Sequence, residues 1–512
     1  MTAILTKKPL SAPGERAASP SSSIPESGPR PLLHVVTSDP DLSARTFASI
    51  LAVTLLAAAI VRLYDLGDGL WFDEIDTFVH YVRQPFAYIV STFDNKNQHV
   101  LYSVLAHLST VIFGDSAWAL RLPAALFGVA SIGVLAWFGA IITSRAEALA
   151  ASALLALSYH HVWFSQNARG YTGLMVAALI GSGLLVRLTS EMRPRPRFAV
   201  IYALTMGLAL YIHLTAALVV TAHAVWWFGL AMLRREKLVW PYAWLPLIAF
   251  ALSVAIGLLL YLPVLSDLLP TLLAPSSGGA TAVWKNPLWF AAETTKGLAR
   301  GLPGGWLTLG VAATIGLCGL ASYARRSPAL AALMLLPAIV TGAVLLIAKH
   351  NLWPRFFFFA AGFAALIVIR GVFVVAKTLW PARARELALA GSGLLVLASA
   401  TTVPRAWQPK QDYLAARNFV DRTSRPGDAV VTVDMTAFPL NYYYGRRWMP
   451  VNNREQLAAV ETQHARTFVL LTFPVRVAAT NSRLFAHIRS NYTKAAEFPG
   501  TVGGGEIIVM TR

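Results

Sequence analysis

Two neighbouring segments, FASILAVTLLAAAIV (residues 47–61) and GLWFDEIDTF (69–78), set the architecture of the chain. The first segment is nearly as long as the roughly 20 apolar residues that a helix needs to cross a bilayer. The second places two adjacent carboxylates, Asp73 and Glu74, just beyond it. The sequence therefore predicts a membrane helix that delivers two acids to the edge of the bilayer.

Composition extends this prediction to the whole chain. Of the 512 residues, 56% are hydrophobic and only 13% are charged, against roughly 25% charged in soluble proteins. The mean hydropathy is +0.55, and apolar runs recur, which indicates a polytopic membrane protein. The net charge of +18 comes from short loops and not from a basic stripe interleaved with aromatics, so no nucleic-acid partner is predicted.

The basic residues also predict the topology, because short cytoplasmic loops are enriched in lysine and arginine. Regular alternation of basic and poorer loops is consistent with eleven crossings, a cytoplasmic N-terminus and an external C-terminus. This parity requires that HVLYSVLAHLSTVIFG (99–114), which is short for a span, lies in the interface. The basic loops contain Arg145; Arg193, Arg195 and Arg197; Arg234, Arg235 and Lys237; Arg325 and Arg326; and Lys377, Arg383 and Arg385.

Three regions are expected. Residues 1–44 are rich in Pro, Ser and Ala, which predicts a disordered cytoplasmic tail without a cleaved signal peptide. Residues 45–403 form the membrane bundle. Residues 404–512 alternate strand and helix patterns, which predicts a separate small external α/β domain. Its strands are expected at 428–435, 466–473 and 506–512, and its helices at 413–423 and 482–491.

With this topology the unusual polar residues collect on the external side. Asp73 and Glu74 lie in the loop 64–98, which has six acids and two bases. Partly desolvated beside lipid, such a carboxylate can serve as a general base. The two acids could instead share a divalent cation, or simply form a solvated helix end.

Further candidates follow along the chain. His99 and Tyr102 are three residues apart and share a helix face, as interfacial anchors or as ligand-binding groups. Arg121 begins the next crossing and either snorkels or binds a phosphate. Arg355, in NLWPRFFFF (351–359), has the same two interpretations.

SYHHVWFSQNARGY (158–171) concentrates hydrogen-bonding side chains at one helix end. Such a cluster at a membrane border is costly unless it is well solvated or binds something polar. The loop 265–300 is either a lid that closes Trp284 and Lys285 over a substrate or a disordered loop. The polar candidates in the first segment are Gln166, Asn167, Arg169 and Tyr171.

In this order, the acidic pair, His-x-x-Leu-Tyr, DSAWALRLPAALFG, WFSQNARGY and the Arg-aromatic element resemble the GT-C class of polyprenol-phosphate-sugar glycosyltransferases. The resemblance covers roughly residues 60–360, and it is greatest to bacterial protein-mannosyltransferase-like and lipid A aminoarabinose-transferase-like members. It implies a catalytic role for Asp73 with Glu74 as its partner. It also implies donor-phosphate binding by Arg355, with Arg121 and Arg169 as further candidates, and substrate binding by His99, Tyr102 and Tyr171. Gln166 and Asn167, from the polar cluster, and Lys285, from the loop 265–300, are further substrate-binding candidates that come from the residues themselves.

Three positions depart from the family pattern. Family members often have His-Pro-Pro where this chain has His99, Val100 and Leu101, and an acid where it has Asn167. The usual Arg-Tyr pair is Arg355-Phe356 here. These departures allow a metal-independent enzyme, an altered donor specificity or a lower activity.

The resemblance implies an inner-membrane enzyme that moves a sugar, with inversion, from a polyprenyl phosphate to the hydroxyl of an envelope glycan, glycolipid or protein. No cofactor is assigned beyond the possible divalent cation. A transporter or lipid flippase is the alternative, although transporters tend to hold ionisable groups near the bilayer midplane. A non-catalytic scaffold is the third interpretation.

Overall fold

The computed structural model describes Leu33 and residues 42–235, 242–273 and 279–512. The predicted disordered tail at 1–44 therefore falls almost entirely outside the described residues. The basic residue Lys237 also lies outside them.

Seventeen helices make up the described part of the region before residue 401, and short 3₁₀ and π segments connect some of them. They are α1 (Ala44–Leu63), α2 (Phe72–Thr77), α3 (Phe86–Ser91), α4 (Val100–Phe113), α5 (Ala117–Ile142), α6 (Arg145–Ala156), α7 (Tyr159–Ser165), α8 (Tyr171–Ser190), α9 (Arg197–Ile212), α10 (Ala216–Leu233), α11 (Trp244–Tyr261), α12 (Leu265–Leu273), α13 (Pro287–Arg300), α14 (Trp306–Arg326), α15 (Pro328–Ile347), α16 (Ala361–Leu379) and α17 (Ala384–Ala400).

Within the described residues, nine helical segments are long and apolar enough to span a membrane. The other two predicted crossings are shorter: α9 has 16 residues, and the run at 148–164 is broken into α6 and α7. Arg62 stabilises the break, since its guanidinium donates to the terminal carbonyl of α6 at Ala156 (3.0 Å) and contacts His161 of α7 (2.6 Å). Helices thus lie at all eleven predicted positions, and nine of these segments have the length and hydropathy of a membrane span.

Helix α4 is the segment that was predicted to lie in the interface. Its 14 residues extend about 21 Å, well short of the roughly 30 Å hydrocarbon core. His99 precedes α4 and lies beside Arg169, while Asp115, just after the helix, pairs with Arg83 of the same loop (3.1 Å). Both ends of α4 therefore lie on the same side of the bundle as the loop that carries Asp73.

Helices α14 and α16 cross at two glycines. A Cβ added at Gly319 would lie 1.9 Å from the Ile367 carbonyl oxygen, and one at Gly371 would lie 1.9 Å from that of Ile315. Real side chains do not approach backbone oxygens this closely, so only glycine permits the observed distance between the helices. Small residues have this role in membrane helix packing generally.

We expect Gly319→Ala to lower the thermal unfolding temperature of the detergent-purified protein, because the added methyl group forces α14 away from α16. Overpacking typically costs about 1–3 kcal/mol. Gly310→Ala on the same helix is the matched control, since no atom lies within 4 Å of its added Cβ. Equal unfolding temperatures for the two variants would contradict the close crossing.

The C-terminal region contains a five-stranded sheet of order β2-β1-β3-β5-β4. Strands β2, β1 and β3 are parallel, whereas β5 is antiparallel to both β3 and β4. The elements are α18 (Tyr413–Thr423), β1 (Ala429–Val433), β2 (Met449–Val451), α19 (Arg454–Gln463), β3 (Thr467–Leu471), α20 (Pro474–Thr480), α21 (Ser482–Asn491), β4 (Thr493–Phe498) and β5 (Ile507–Thr511).

Sequence patterns located β1, β3, β5, α18 and α21 but missed β2, β4, α19 and α20. Strand β2 has only three residues, including Pro450. The six residues of β4 are mostly exposed, so they lack the alternation that marks a half-buried strand.

The sheet packs against the first loop of the membrane region. Phe468 and Leu470 of β3 belong to the same buried cluster as Leu70, Ile75 and Phe78 of the first loop. The α/β region and the acid-bearing loop therefore share one hydrophobic core, which fixes the sheet over this side of the bundle.

Candidate active site

A buried ion pair organises the loop that carries the two acids. Arg121 Nε and Nη2 donate to the two carboxylate oxygens of Glu74 at 2.8 and 2.6 Å. Both side chains are almost completely buried, at 3% and 0% exposure. The remaining donors of Arg121 bond the carbonyls of Leu66, Asp68 and Gly69 at 2.8 to 3.1 Å.

Arg121 therefore uses all five of its N–H donors on protein acceptors. In this arrangement none remains for a donor phosphate, and its contacts are those of a positioning residue. Glu74 also accepts from the backbone N–H of Ala168 at 2.8 Å. Burial favours the neutral acid, but Arg121 and Lys410 outweigh it and hold the pKa of Glu74 below its usual range.

Asp73 has a different environment from its neighbour. One of its oxygens accepts from Arg355 Nη1 at 2.8 Å, and its side chain remains 13% exposed, against 32% for Arg355. Pro354 lies in the first turn of the 3₁₀ helix Pro354–Ala360 and sets the position of Arg355. Asp73 and Arg355, 282 residues apart, are thus in direct contact at one end of the helical bundle, which we call the rim.

Each acid has its own arginine, so the two carboxylates do not jointly face one cation position. Within the described part of the chain, no group of three His, Cys, Asp or Glu side chains is arranged to hold a metal ion.

A second cluster surrounds Arg169, between α7 and α8. Its Nη1 donates to Thr77 and to the Asn97 carbonyl, and its Nη2 lies 2.8 Å from His99 Nε2. The His99 ring is 4.4 Å from that of His213 and 5.6 Å from that of Tyr171, centre to centre. Burial, together with the Arg169 charge, keeps the pKa of His99 well below its usual value.

The other sequence candidates have supporting positions. Asn167 accepts from the Trp71 indole N–H at 3.2 Å, and Gln166 donates to the carbonyls of Arg62 and Tyr64 at the end of α1. Tyr102 donates to the Leu120 carbonyl at 2.7 Å. Lys285 ends a 3₁₀ helix and does not line the cavity described next.

A cavity of about 560 Å³ opens beside Asp73 and Arg355. Five tryptophans line it. The start of α20 and nearby 3₁₀ and loop segments of the C-terminal region form one wall. Buried polar atoms around it, Arg355 Nε and Asn351 Oδ1, have no hydrogen-bond partner among the described residues. Unpaired buried polar atoms are rare, and here they indicate a polar ligand. The tryptophans are Trp71, Trp163, Trp284, Trp289 and Trp353.

Lys410 is the residue that the sequence analysis missed. Its ammonium donates to the Gln166 carbonyl at 2.7 Å and lies 5.2 Å from the centre of the Trp163 ring. Burial lowers its pKa to about 7, although Glu74 opposes the shift. The adjacent Gln411 accepts from the Phe72 backbone N–H at 3.1 Å. Both residues lie just before the α/β elements, where no local pattern signals their role.

We expect Glu74→Gln to destabilise the protein strongly, because Arg121 and Lys410 would lose their buried counter-charge. Breaking a buried pair costs about 3–5 kcal/mol, which thermal unfolding in detergent measures. Glu497→Gln is the control, since Glu497 pairs with Lys494 on the surface (44% and 57% exposed) and such pairs contribute at most about 1 kcal/mol. Similar small shifts in both variants would contradict the organising role of the pair.

We expect stability to fall in acid through His213. Burial lowers its pKa from 6.5 to about 3, so its neutral form stabilises the fold fully above pH 6.5, and this contribution is lost as the pH falls toward 3. His213→Asn should therefore flatten the dependence of the unfolding temperature on pH over this window. A wild-type slope in His213→Asn would refute the assignment.

The chain is therefore a multi-span membrane protein in which Asp73 and Arg355 meet at one end of the helical bundle, beneath a small α/β region. Residues 98–261, from α4 to α11, match the profile of the family described as dolichyl-phosphate-mannose-protein mannosyltransferase. This segment contains His99, Arg121 and Arg169. No curated protein sequence matches the chain.

Solved structures share the architecture. ArnT from Cupriavidus metallidurans in the apo state superposes with a TM-score of 0.54 at 14% identity, covering 92% of this chain and 98% of ArnT. The Archaeoglobus fulgidus oligosaccharyltransferase, in complex with zinc and sulfate, gives 0.53 at 14% identity, covering 89% and 72%. The predicted resemblance is confirmed: the chain has the GT-C fold, and residues 98–261 match the profile of the mannosyltransferase family.

Proposed function

We propose that the protein is a membrane glycosyltransferase that moves a sugar from a polyprenyl-phosphate donor to an acceptor hydroxyl, with inversion at the anomeric carbon. The observation that carries this proposal is the contact between Asp73 and Arg355 at the mouth of the tryptophan-lined cavity. It supplies an anionic base and a cation side by side, as this reaction requires. The family profile, whose members are described as using dolichyl-phosphate-mannose, supports the class of donor.

Arg355 is our choice for the donor phosphate. Its Nη1 bonds Asp73, while its buried Nε has no partner and is available to a phosphate oxygen. Negative charge builds on the phosphate as the sugar departs, so a cation fixed there lowers the barrier. Arg169 lies in the neighbouring cluster, and its Nε is also without a partner, so it is the second candidate.

Asp73 is our choice for the general base. It accepts the proton of the acceptor hydroxyl while that oxygen attacks the anomeric carbon and the bond to the phosphate oxygen breaks. Glu74 is unsuited to this step because Arg121 and Ala168 already occupy its oxygens. Glu74 instead holds Arg121 and the loop, and thereby fixes the position of its neighbour.

The cavity walls suggest how the substrates are held. Aromatic faces such as Trp284 and Trp353, whose rings are 4.7 Å apart, suit the apolar faces of sugar rings. The C-terminal region contributes Phe473, Arg476 and Thr501 to the wall opposite the membrane helices. Its position favours a role in holding an envelope acceptor, whether glycan, glycolipid or protein.

The proposal includes an orientation in the inner membrane, with the N-terminus cytoplasmic and the site and α/β region external. Arginines and lysines concentrate in loops at the end of the bundle opposite Asp73, as the positive-inside tendency requires. The acids and arginines of the site meet at one rim and not at the bilayer midplane, which favours an enzyme over a transporter or flippase.

The test compares envelope glycolipids, glycans and glycoproteins by mass spectrometry in cells lacking the protein and in cells complemented with variants. Asp73→Asn should lower the transferred product by about 10²–10⁴-fold, the usual contribution of general base catalysis. The amount of the Asp73→Asn protein in the membrane and its unfolding temperature should stay close to those of the wild type.

Asp65→Asn is the matched control, because it makes the same chemical change on an exposed acid of the same loop. Asparagine also tolerates the positive φ of 53° at this position. Full restoration of the product by Asp73→Asn would refute the assignment of the base. A missing modification that returns with every variant would instead favour a scaffold.

A further inference from the structure

A second cavity, of about 630 Å³, lies at the end of the bundle opposite the candidate active site. It is formed where the start of α6 meets the ends of α14 and α16 and the start of α17. Four basic side chains from three of these helices line it, together with one acid, Glu147. The basic residues are Arg326, Arg370, Lys377 and Arg385.

One of the four is fixed by buried contacts. Arg370 Nη1 bonds Glu147 at 2.7 Å, and its Nε donates to Ser322 at 3.1 Å. The side chains of Arg370 and Glu147 are 8% and 4% exposed, so the charge of Glu147 is balanced inside the protein. Because one acid faces four bases, the lining keeps a net charge of about +3.

The lining is also partly apolar. Phe373 and Val374 lie on it between the basic residues of α16. Just beyond the lining, Leu379 and Trp380 are 76% and 52% exposed, which is typical of side chains at the boundary of a bilayer. The basic cavity is therefore adjacent to a surface suited to lipid chains.

We propose that this cavity binds the phosphate headgroup of an anionic phospholipid of the adjacent leaflet. Basic pockets between transmembrane helices bind such headgroups by direct charge pairing. The apolar lining and the exposed Leu379 and Trp380 favour a lipid over a soluble phosphate, since they give its acyl chains a surface to contact. The proposal depends on the fold alone and not on the transfer reaction.

The competing explanation for the basic lining is a general enrichment of basic residues at this end of the bundle. It predicts that the basic residues of the cavity bind lipid no better than others at the same end. Arg193 and Arg195, in the loop between α8 and α9, are exposed basic residues at the same end of the bundle. They do not line the cavity. They therefore provide a control that removes the same charge from the same face.

The test uses native mass spectrometry of the full chain, delipidated in detergent and titrated with phosphatidylglycerol or phosphatidylcholine. Wild type and Arg193→Ala/Arg195→Ala should bind phosphatidylglycerol alike. Arg326→Ala/Lys377→Ala should bind it on the order of tenfold more weakly. Phosphatidylglycerol should no longer raise the unfolding temperature of Arg326→Ala/Lys377→Ala. If that double variant does not fold, the single variant Lys377→Gln replaces it and should show a smaller loss of phosphatidylglycerol binding.

Three results would overturn the proposal. Equal weakening in both double variants would show that only the charge of the face matters. Equal binding of phosphatidylcholine would show that the headgroup charge is not recognised. Stabilisation of wild type by inorganic pyrophosphate but not by phosphatidylglycerol would assign the cavity to a soluble phosphate compound.

Discussion

The buried pair of Arg121 and Glu74 is the interaction on which the rim depends. Its arginine joins α5 to the carbonyls of the first loop, and its glutamate joins that loop to the backbone at Ala168. Two charges removed from water are tolerated only when their hydrogen bonds are satisfied. Here every donor of the guanidinium is used, so three distant segments are held in one geometry.

This constraint separates the functions of two adjacent carboxylates. Glu74 faces inward and is saturated by fixed donors, whereas Asp73 faces the cavity and has one arginine contact. Rotation by one helical position is enough to give neighbouring acids different environments. A structural acid beside a proposed catalytic acid is thus a consequence of the short helix α2, whose capping and packing fix both side chains.

The C-terminal region is part of the same construction. Its core is continuous with that of the first loop, and Lys410 and Gln411 reach the segments that carry Glu74 and Phe72. The C-terminal region therefore forms a fixed wall of the cavity through segments that lie outside its strands. An α/β domain joined to the bundle only by a flexible linker would make no such contacts.

Sequence patterns alone were enough to predict the membrane class, the order of the apolar segments and the end of the bundle at which the polar residues gather. These features follow from local hydrophobic length and loop charge, which act over one helix at a time. Three further features could be read only from the folded chain: which arginine pairs with which acid, how Lys410 enters the site and how α14 approaches α16. Those outcomes depend on contacts between segments hundreds of residues apart, such as Asp73 with Arg355. Such contacts depend on which side chains become buried and on which hydrogen-bond donors are already used by other groups. Neither property can be read from a single segment of the sequence.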